Sequence, residues 1–262
     1  MSSQFDGKKA LVMSGTKGIG RGVAEALAGE GAEVWLTSSN MENIDAACAA
    51  MSVKYGRQVH GAVLHADQPE GAAETARCLL KDSGGFDVLI VNGPGPVPSN
   101  ALGMSSGQLQ AALNRVVFTA LEVCNVIVPV MQQRGYGRIV FLASTTAREP
   151  DGGMTTSNMT RAALLAYAKT LSREVARQGV TVNTVLTGGV LSDRTEYLLR
   201  RDAEASGKTY GELLQGAHEA FPVGHIATPE EFARAVVFLA SPAASFVTGI
   251  SMPVDGGLMR AM

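Results

Sequence analysis

Cysteine is scarce in this chain of 262 residues, with three residues that are odd in number and widely spaced. Their spacing matches neither a disulfide framework nor a metal-binding pattern, so no metal site is predicted. We interpret them as buried free thiols in a protein of a reducing compartment. The three residues are Cys48, Cys78 and Cys124.

Aromatic residues are also few, at 5% of the sequence, whereas hydrophobic residues make up 46%. The hydrophobic fraction is ample for a core. In that core alanine and glycine take the place of aromatic side chains and permit close contacts between helices and sheet. The length allows one large domain or two small ones.

Excess positive charge is absent, since 22 lysine and arginine residues face 24 acidic residues and the net charge is -2. Without a long basic run, a nucleic-acid or anionic-membrane partner is not expected. The N-terminus MSSQFDGKK has no apolar signal core, and no uninterrupted apolar run approaches the ~18 residues of a membrane span. The sequence therefore predicts a soluble, cytoplasmic protein.

Against this background one stretch is informative, KALVMSGTKGIG at residues 9–20. A short apolar run breaks into a glycine-rich turn, and a helical apolar pattern follows. A strand, a glycine turn and a helix in this order present free backbone N–H groups to a phosphate, and glycine lets the backbone approach closely. The stretch indicates a dinucleotide site, although the same string also occurs in plain strand–helix turns.

Along the rest of the chain, apolar strand-like runs alternate with helical patterns. The predicted strands are 10–13, 33–37, 59–65, 86–91, 138–142, 180–186 and 251–254. The predicted helices include 42–55, one opening at Pro69, 108–133 kinked by Pro129, 161–178, 193–220 and 229–240. Strict alternation predicts one α/β domain over 1–262, with helices on both faces of a doubly wound parallel sheet.

Ligands of such sheets bind outside the C-terminal ends of the strands. Those ends carry polar residues on five strands: Ser14, Ser38, Asn92, Ser144 and Thr187.

The chain resembles the short-chain dehydrogenase/reductase family, in particular its 3-oxoacyl-carrier-protein reductases. The resemblance rests on the glycine turn, the strand before Asn92, GRIVFLAS at 137–144, VTVNTV at 180–185 and the tail TPEEFARAVVFLASPAASFVTGISMPVDGG. It implies a single Rossmann-like domain, a nicotinamide cofactor and commonly a homotetramer. The implied cofactor-binding residues are Ser14, Gly15, Thr16, Lys17, Gly18, Ile19, Gly20, Ser38, Ser39, Asp67, Asn92, Gly93, Thr187, Gly188, Val190 and Ser192.

The chain departs from the family pattern at the residues that matter most for catalysis. Ser14 replaces the first glycine of the turn, which we expect to fit if its φ stays negative. The implied catalytic positions are Ser144, Ser157 in place of the tyrosine of the YxxxK motif, and Arg161 in place of its lysine. The family's asparagine falls near Val116, and a PG pair is replaced by Thr187-Gly188.

Ser157 cannot take over the role of a phenol unaided. A phenol has a pKa of ~10, whereas an aliphatic hydroxyl is nearer the ~15.7 of water. Arg161 is always protonated and cannot relay a proton, although it can donate hydrogen bonds to ribose hydroxyls or an anionic substrate. Structural roles compete with these functional ones: Ser157 and Asp67 as helix caps, Arg161 as a surface residue and Ser144 as a strand end.

Three functions remain open on these residues. The first is an NADP-dependent reductase or dehydrogenase with a rebuilt proton donor, for which Tyr197, Tyr210 and His218 are further candidates. The second is a redox-neutral isomerase or lyase on the same fold, and the third is a catalytically silent nucleotide-binding subunit.

Three further expectations concern specificity, motion and assembly. NADP(H) is expected over NAD(H), because 37–39 is Thr-Ser-Ser without an acid and Lys17 lies in the turn. The polar segment 193–221 should be a mobile lid. A tetramer should form through small residues and the C-terminus: Ala162, Ala163, Ala166, Ala168 and 258–262.

Overall fold

The chain forms one parallel sheet, seen in a computed structural model that describes residues 3–260. Within that range the sheet has seven strands in the order β3-β2-β1-β4-β5-β6-β7, and every neighbouring pair is parallel. The α/β prediction is therefore confirmed. The strands are β1 Lys9–Val12, β2 Glu33–Ser38, β3 Val59–Val63, β4 Val88–Val91, β5 Gly137–Ser144, β6 Val180–Thr187 and β7 Ser251–Val254.

Helices cover both faces of the sheet, and a separate apolar cluster lies under each layer. One cluster packs α1, α2 and α9 on the sheet, and the other packs α3, α5 and α6. The helices are α1 Gly18–Gly29, α2 Met41–Tyr55, α3 Pro69–Ser83, α4 Ser106–Leu113, α5 Thr119–Arg134, α6 Thr155–Val175, α7 Asp193–Ser206, α8 Tyr210–Glu219 and α9 Pro229–Ala240.

The strand order reverses direction between β1 and β4. From β1 the chain winds outward through β2 and β3, then returns to the other side of β1 and continues through β4 to β7. A crevice opens outside the C-terminal ends of two parallel strands at such a switch point, and ligands bind there. Ser14 and Asn92 follow these two strand ends, so the topology positions the glycine turn at the crevice.

The helix predicted over 108–133 is interrupted, but not at its proline. A π-helical segment, Asn114–Phe118, separates α4 from α5, whereas Pro129 lies inside α5 without ending it. The hydroxyl of Thr119 shares its proton between two carbonyl oxygens, that of Ala66 at 2.6 Å and that of Asn114 at 2.9 Å. This tertiary contact supports the wider turn, and such turns often mark functional sites.

The same run, Ser106–Arg134, has the length and hydropathy of a membrane span, alone among helices of the described range. Its apolar side chains instead pack in the second core cluster, which is the arrangement of a core helix: Val116, Ala120, Val123, Cys124, Ile127, Val128 and Met131.

Other boundaries and burials also differ from expectation. The predicted helix 193–220 is two helices, divided at Gly207, whose φ is +71°, before a capping box at Thr209 and Glu212.

Of the cysteines only Cys124 is buried, and Cys78 is exposed, so the prediction of three buried thiols is wrong.

One residue predicted to contact another subunit, Ala168, is buried within the chain itself. Ala168 is 3% exposed and packs in the chain's own core, unlike exposed Ala162, Ala163 and Ala166. The final residues, 261 and 262, lie outside the described range.

Candidate active site

The turn between β1 and α1 leaves the start of a helix open to a ligand. The N-cap residue Lys17 has extended backbone angles and makes no side-chain cap, and the first turn of α1 has no acidic residue. The first backbone N–H groups of a helix lack partners inside the helix, and the helix dipole favours negative charge there. This geometry fits a phosphate group.

Ser14 adopts the backbone conformation that the sequence expectation ruled out. Its φ is +49°, and it is the single non-glycine residue with positive φ in residues 3–260. The Ser14 N–H donates to the hydroxyl of Thr37 at 3.1 Å, and the N–H of Gly15 donates to the carbonyl of Thr37 at 3.0 Å. These bonds to β2 hold the serine in the left-handed region, so the expectation of a negative φ was wrong.

Glycine is required at two positions of the turn. A Cβ on Gly20 would clash with the carbonyl oxygen of Ser14 and lie 2.7 Å from Nδ2 of Asn92. Gly18 has a φ of +53°, and a Cβ there would lie 3.4 Å from Cβ of Ser192. The turn, the end of β4 and the segment after β6 therefore meet closely at the crevice.

The ends of β2 and β3 lie on the far side of the turn. Ser38 ends β2 and accepts a weak bond from the N–H of Asn40 at 3.4 Å, and Ser39 is exposed. Asp67 follows β3 and is exposed, and the N-cap residue of α3 is Gln68. Asp67 is therefore not the cap of that helix.

The segment after β6 borders the site next to the end of β5. Thr187 pairs in register with Ser144, and a Cβ on Gly188 would lie 2.7 Å from Cα of Asp255. Val190 forms a bridge with Ala227. Ser192 caps α7 by accepting from the N–H of Thr195 at 3.3 Å.

Ser144 is the last residue of β5, and its hydroxyl has a defined orientation. Oγ of Ser144 accepts from the N–H of Thr146 at 3.2 Å and from the Thr146 hydroxyl at 3.0 Å. A hydroxyl has two acceptor positions and one proton to donate. Because both acceptor positions are filled, the proton of Ser144 is left for another acceptor, such as a carbonyl oxygen.

Ser157 lies inside the first turn of α6 and is 6% exposed. The N-cap position of this helix belongs to Met154, so the capping role considered for Ser157 is wrong. Arg161 follows one turn later, and residues four apart in a helix share a face.

Arg161 is buried rather than a surface residue, at 9% exposure. Its Nη1 donates to the carbonyl of Leu142 at 2.8 Å, while its buried Nε has no partner within residues 3–260. Burial, with a smaller contribution from the charge of Arg194, lowers the pKa of Arg161 to about 10. The guanidinium therefore remains charged at neutral pH.

Sequence reasoning missed two further arginines at the site. Arg115, in the π-helical segment, lines a narrow pocket together with Arg161, Ser14 and Asn92. Arg194, near the start of α7, donates to the carbonyl of Pro96 at 2.9 Å. The position of Arg115 beside the family's asparagine position is the one sequence signal that could have identified it.

Each of the three lid candidates for a proton donor already makes a contact within the chain. The Tyr197 ring lies 5.8 Å from the guanidinium of Arg194, and the Tyr210 ring lies 4.9 Å from that of Arg200. Nδ1 of His218 accepts from the N–H of Ile226 at 3.0 Å.

Known proteins resemble this chain over nearly its whole length. A family model described as enoyl-(acyl carrier protein) reductase matches residues 13–259. The fold, the glycine turn and this match define an oxidoreductase with a Rossmann-like fold. The chain belongs to the short-chain dehydrogenase/reductase family. It is 32% identical to the 3-oxoacyl-[acyl-carrier-protein] reductase of Vibrio harveyi over 97% of the chain and 98% of the relative.

Two solved structures that resemble this chain are also reductases. The L-sorbose reductase of Gluconobacter frateurii, complexed with NADPH and L-sorbose, is 28% identical with a TM-score of 0.95, covering 100% of both chains. An NADPH-dependent reductase involved in bacilysin biosynthesis is 26% identical with a TM-score of 0.91, covering 97% of this chain and 99% of that one.

Proposed function

We propose that this chain is an NADP-dependent oxidoreductase that interconverts a ketone and an alcohol with an atypical proton donor. The observation that carries the proposal is the turn between β1 and α1, whose uncapped helix end and close glycines fit a nucleotide phosphate. Two solved relatives described with NADPH support the same cofactor here.

The end of β2 supports NADP(H) rather than NAD(H). Thr37, Ser38 and Ser39 lack the carboxylate that would bind the ribose 2′-hydroxyl of NAD and repel a 2′-phosphate. Lys17 is exposed in the turn and adds a positive charge. Hydroxyls and an ammonium group are suitable partners for a phosphate.

In the reaction, bound NADPH would supply the hydride. Ser144 would donate its free proton as a hydrogen bond to the substrate carbonyl, because its lone pairs are occupied by Thr146. Arg161 would donate hydrogen bonds to oxygen atoms of the cofactor or the substrate and stabilise their negative charge.

The proton for the developing alkoxide is the unusual step. Ser157 is one helical turn from Arg161, but its hydroxyl is too weak an acid to supply the proton alone. A hydroxyl can both accept and donate, so Ser157 can relay a proton from another acid or from water. We therefore expect slow turnover on generic ketones.

Ser157 and Arg161 also favour a second candidate function. Without a phenol and an ammonium, the same site could serve a redox-neutral isomerase or lyase, or a silent nucleotide-binding subunit. The discriminating property is hydride transfer, which only the oxidoreductase performs.

The test combines nucleotide binding with hydride transfer. NADPH and NADH would be titrated into purified protein, and deuteride transfer from labelled NADPH to a panel of ketones would be followed by mass spectrometry. We expect tighter binding of NADPH and slow deuteride incorporation. If neither NADPH nor NADH binds, the proposal is overturned. If NADPH binds but transfers no deuteride to any ketone, the second candidate is supported.

We further propose a soluble, cytoplasmic homotetramer without a nucleic-acid or membrane partner. Exposed Ala162, Ala163 and Ala166 on α6 and exposed Leu258 near the C-terminus support subunit contacts. Light scattering at micromolar concentration should give four times the chain mass, and a monomer mass would refute the assembly.

A further inference from the structure

We propose that the substrate of this site carries an anionic group, a carboxylate or a phosphate, which Arg115 and Arg194 hold beside Arg161. The inference rests on the proposed function, because it assigns the substrate class of the same site. Three guanidinium groups, those of Arg115, Arg161 and Arg194, are brought together by the fold.

The three arginines surround the loop that follows β4. Arg115 and Arg161 line one narrow pocket, which also contains Asn92 and Gly93 at the start of that loop. Arg194, from α7, donates to the carbonyl of Pro96 in the same loop. Its Nε would lie 3.6 Å from a Cβ added to Gly95. The charge of Arg194 also acts on the buried Arg161.

Carboxylates do not balance these charges. In the part of the chain that the structure describes, none of the three arginines forms an ion pair within 4 Å, and the two pockets that Arg115 lines contain no acidic residue. By contrast, Arg200 and Arg201, on the same helix as Arg194, pair with Glu196 and Asp202.

Arg161 provides a second and independent indication of a ligand. Arg161 is more than nine-tenths buried and lines the narrow pocket, and its buried Nε has no partner among residues 3–260. A buried and unpaired charge is costly, so such a group usually meets an opposite charge when the site is in use.

The surroundings of Arg115 indicate the rest of the substrate. A cavity of ≈ 130 Å³ borders Arg115, with apolar walls from Pro96, Val97, Ala111 and Ala112. The Thr156 hydroxyl donates to the carbonyl of Val97 at 2.7 Å and so fixes one wall. An apolar wall next to a guanidinium fits a short organic body with a charged end.

The phosphates of the cofactor are the competing explanation for the three charges. The glycine turn already presents the open N-terminus of α1 to a phosphate. Arg194 instead reaches Pro96 on the opposite loop, and Arg115 lines the cavity beyond it. We therefore assign these two arginines to the substrate.

Matched probe pairs test the substrate class by binding and by turnover. Levulinate would be compared with its methyl ester, and dihydroxyacetone phosphate with dihydroxyacetone, so that the two pairs distinguish a carboxylate from a phosphate. Calorimetry on NADP⁺-loaded protein would measure binding, and NADPH oxidation would measure turnover. We expect one acid to bind at least about tenfold tighter than its neutral partner.

Variants assign that preference to the arginines. Arg194→Gln and Arg115→Gln should each weaken binding of the preferred acid about 10- to 100-fold and leave the neutral probe and NADPH unchanged. Arg200→Gln is the matched control on α7, because Arg200 is exposed and paired with Glu196. Circular dichroism would check that each variant is folded.

The outcomes separate this inference from the proposed function. Acid-selective binding without NADPH oxidation would uphold the anionic substrate and contradict the reductase. Turnover without preference for acids, no binding of any acid at its highest soluble concentration, or variants that weaken NADPH instead would overturn the inference.

Discussion

The backbone N–H of Ser14 donates to the hydroxyl of Thr37 at 3.1 Å, and this bond links the turn after β1 to the end of β2. It holds a serine at a φ of +49°, where side chains with a Cβ are disfavoured. The turn therefore keeps the shape of a glycine turn although its first glycine is absent.

The first prediction follows from this conformation. Ser14→Gly should raise the free energy of unfolding by up to about 1 kcal/mol, because it removes a left-handed penalty of ~1–2 kcal/mol and adds a smaller entropy cost of glycine. Urea denaturation would measure the change. Ser39→Gly is the control, since Ser39 has no positive φ, and it should leave stability unchanged or lower it. A larger loss from Ser14→Gly than from the control would contradict the prediction.

The second prediction concerns the unpaired charge of Arg161. Arg161→Met should stabilise the ligand-free protein by up to about 3 kcal/mol, because replacing a buried charge without an ion pair by an apolar chain gains ~1–4 kcal/mol, and the lost bond to the carbonyl of Leu142 offsets only about 1 kcal/mol of it. Arg138→Met is the matched control: Arg138 is 5% exposed but donates to the carbonyls of Gly137, Gly179 and Ser241.

The control should be destabilised, because its substitution removes three hydrogen bonds, two of them to the carbonyls of buried Gly137 and Ser241, whereas Arg161→Met removes one. Thermal unfolding of both variants measures the difference. Equal destabilisation of the two would show that Arg161 is satisfied in the ligand-free protein.

The third prediction concerns the missing phenol. Ser157→Tyr with Arg161→Lys should place a phenol and an ammonium group one helical turn apart on the same face of α6. NADPH-dependent ketone reduction should then rise by about 10²- to 10⁴-fold, the range of a positioned general acid. Steady-state kinetics on a ketone panel would measure the gain.

The matched control for that pair is Ser157→Phe with Arg161→Lys, which adds the ring without its hydroxyl. It should give no gain. If the tyrosine variant folds and binds NADPH but is no faster than the phenylalanine variant, the proton has another source. Tyr197, Tyr210 and His218 would then be substituted in turn.

The fourth prediction concerns cofactor choice at the end of β2. Ser38→Asp should weaken NADPH binding about 10- to 100-fold relative to NADH, because a carboxylate repels the 2′-phosphate. Fluorescence titration of both nucleotides would measure the ratio. Ser245→Asp, at an exposed residue after α9, should leave the ratio unchanged. Equal affinities of the unmodified protein for the two nucleotides would sink the prediction.

The fifth prediction concerns motion of α7 and α8. Neither helix contains a fully buried residue, whereas all of β5 before Ser144 is buried. Local opening needs little free energy where few apolar contacts are lost. Hydrogen exchange should therefore be much faster over 193–219 than in β5, and slower once nucleotide and substrate are bound. Equal protection of the two regions would show that the segment is not a mobile lid.

Several features of this protein were predictable from local sequence. The seven strands and their alternation with helices followed from hydrophobic periodicity, and the glycine turn followed from 14–20. The parallel direction of the strands followed from alternation, because parallel strands need helical crossovers, whereas the strand order and its switch point are seen only in the structure.

The missed features depend on contacts between distant parts of the chain. The conformation of Ser14 depends on Thr37, and the π-helical segment has the support of the Thr119 bond to Ala66, 53 residues away. The environment of Arg161 includes Leu142 of β5 and the charge of Arg194 in α7.

Sequence by itself therefore determined the parallel sheet, the family of the chain and the open helix end that fits a phosphate. These features depend on neighbouring residues, which define strands, turns and helix starts. Only the tertiary structure decided that Ser157 and Arg161 are buried rather than a cap and a surface residue. It also decided that Arg115, Arg161 and Arg194 converge on one loop. Charges separated by tens of residues meet only when the sheet brings their helices together, and no local pattern records that approach.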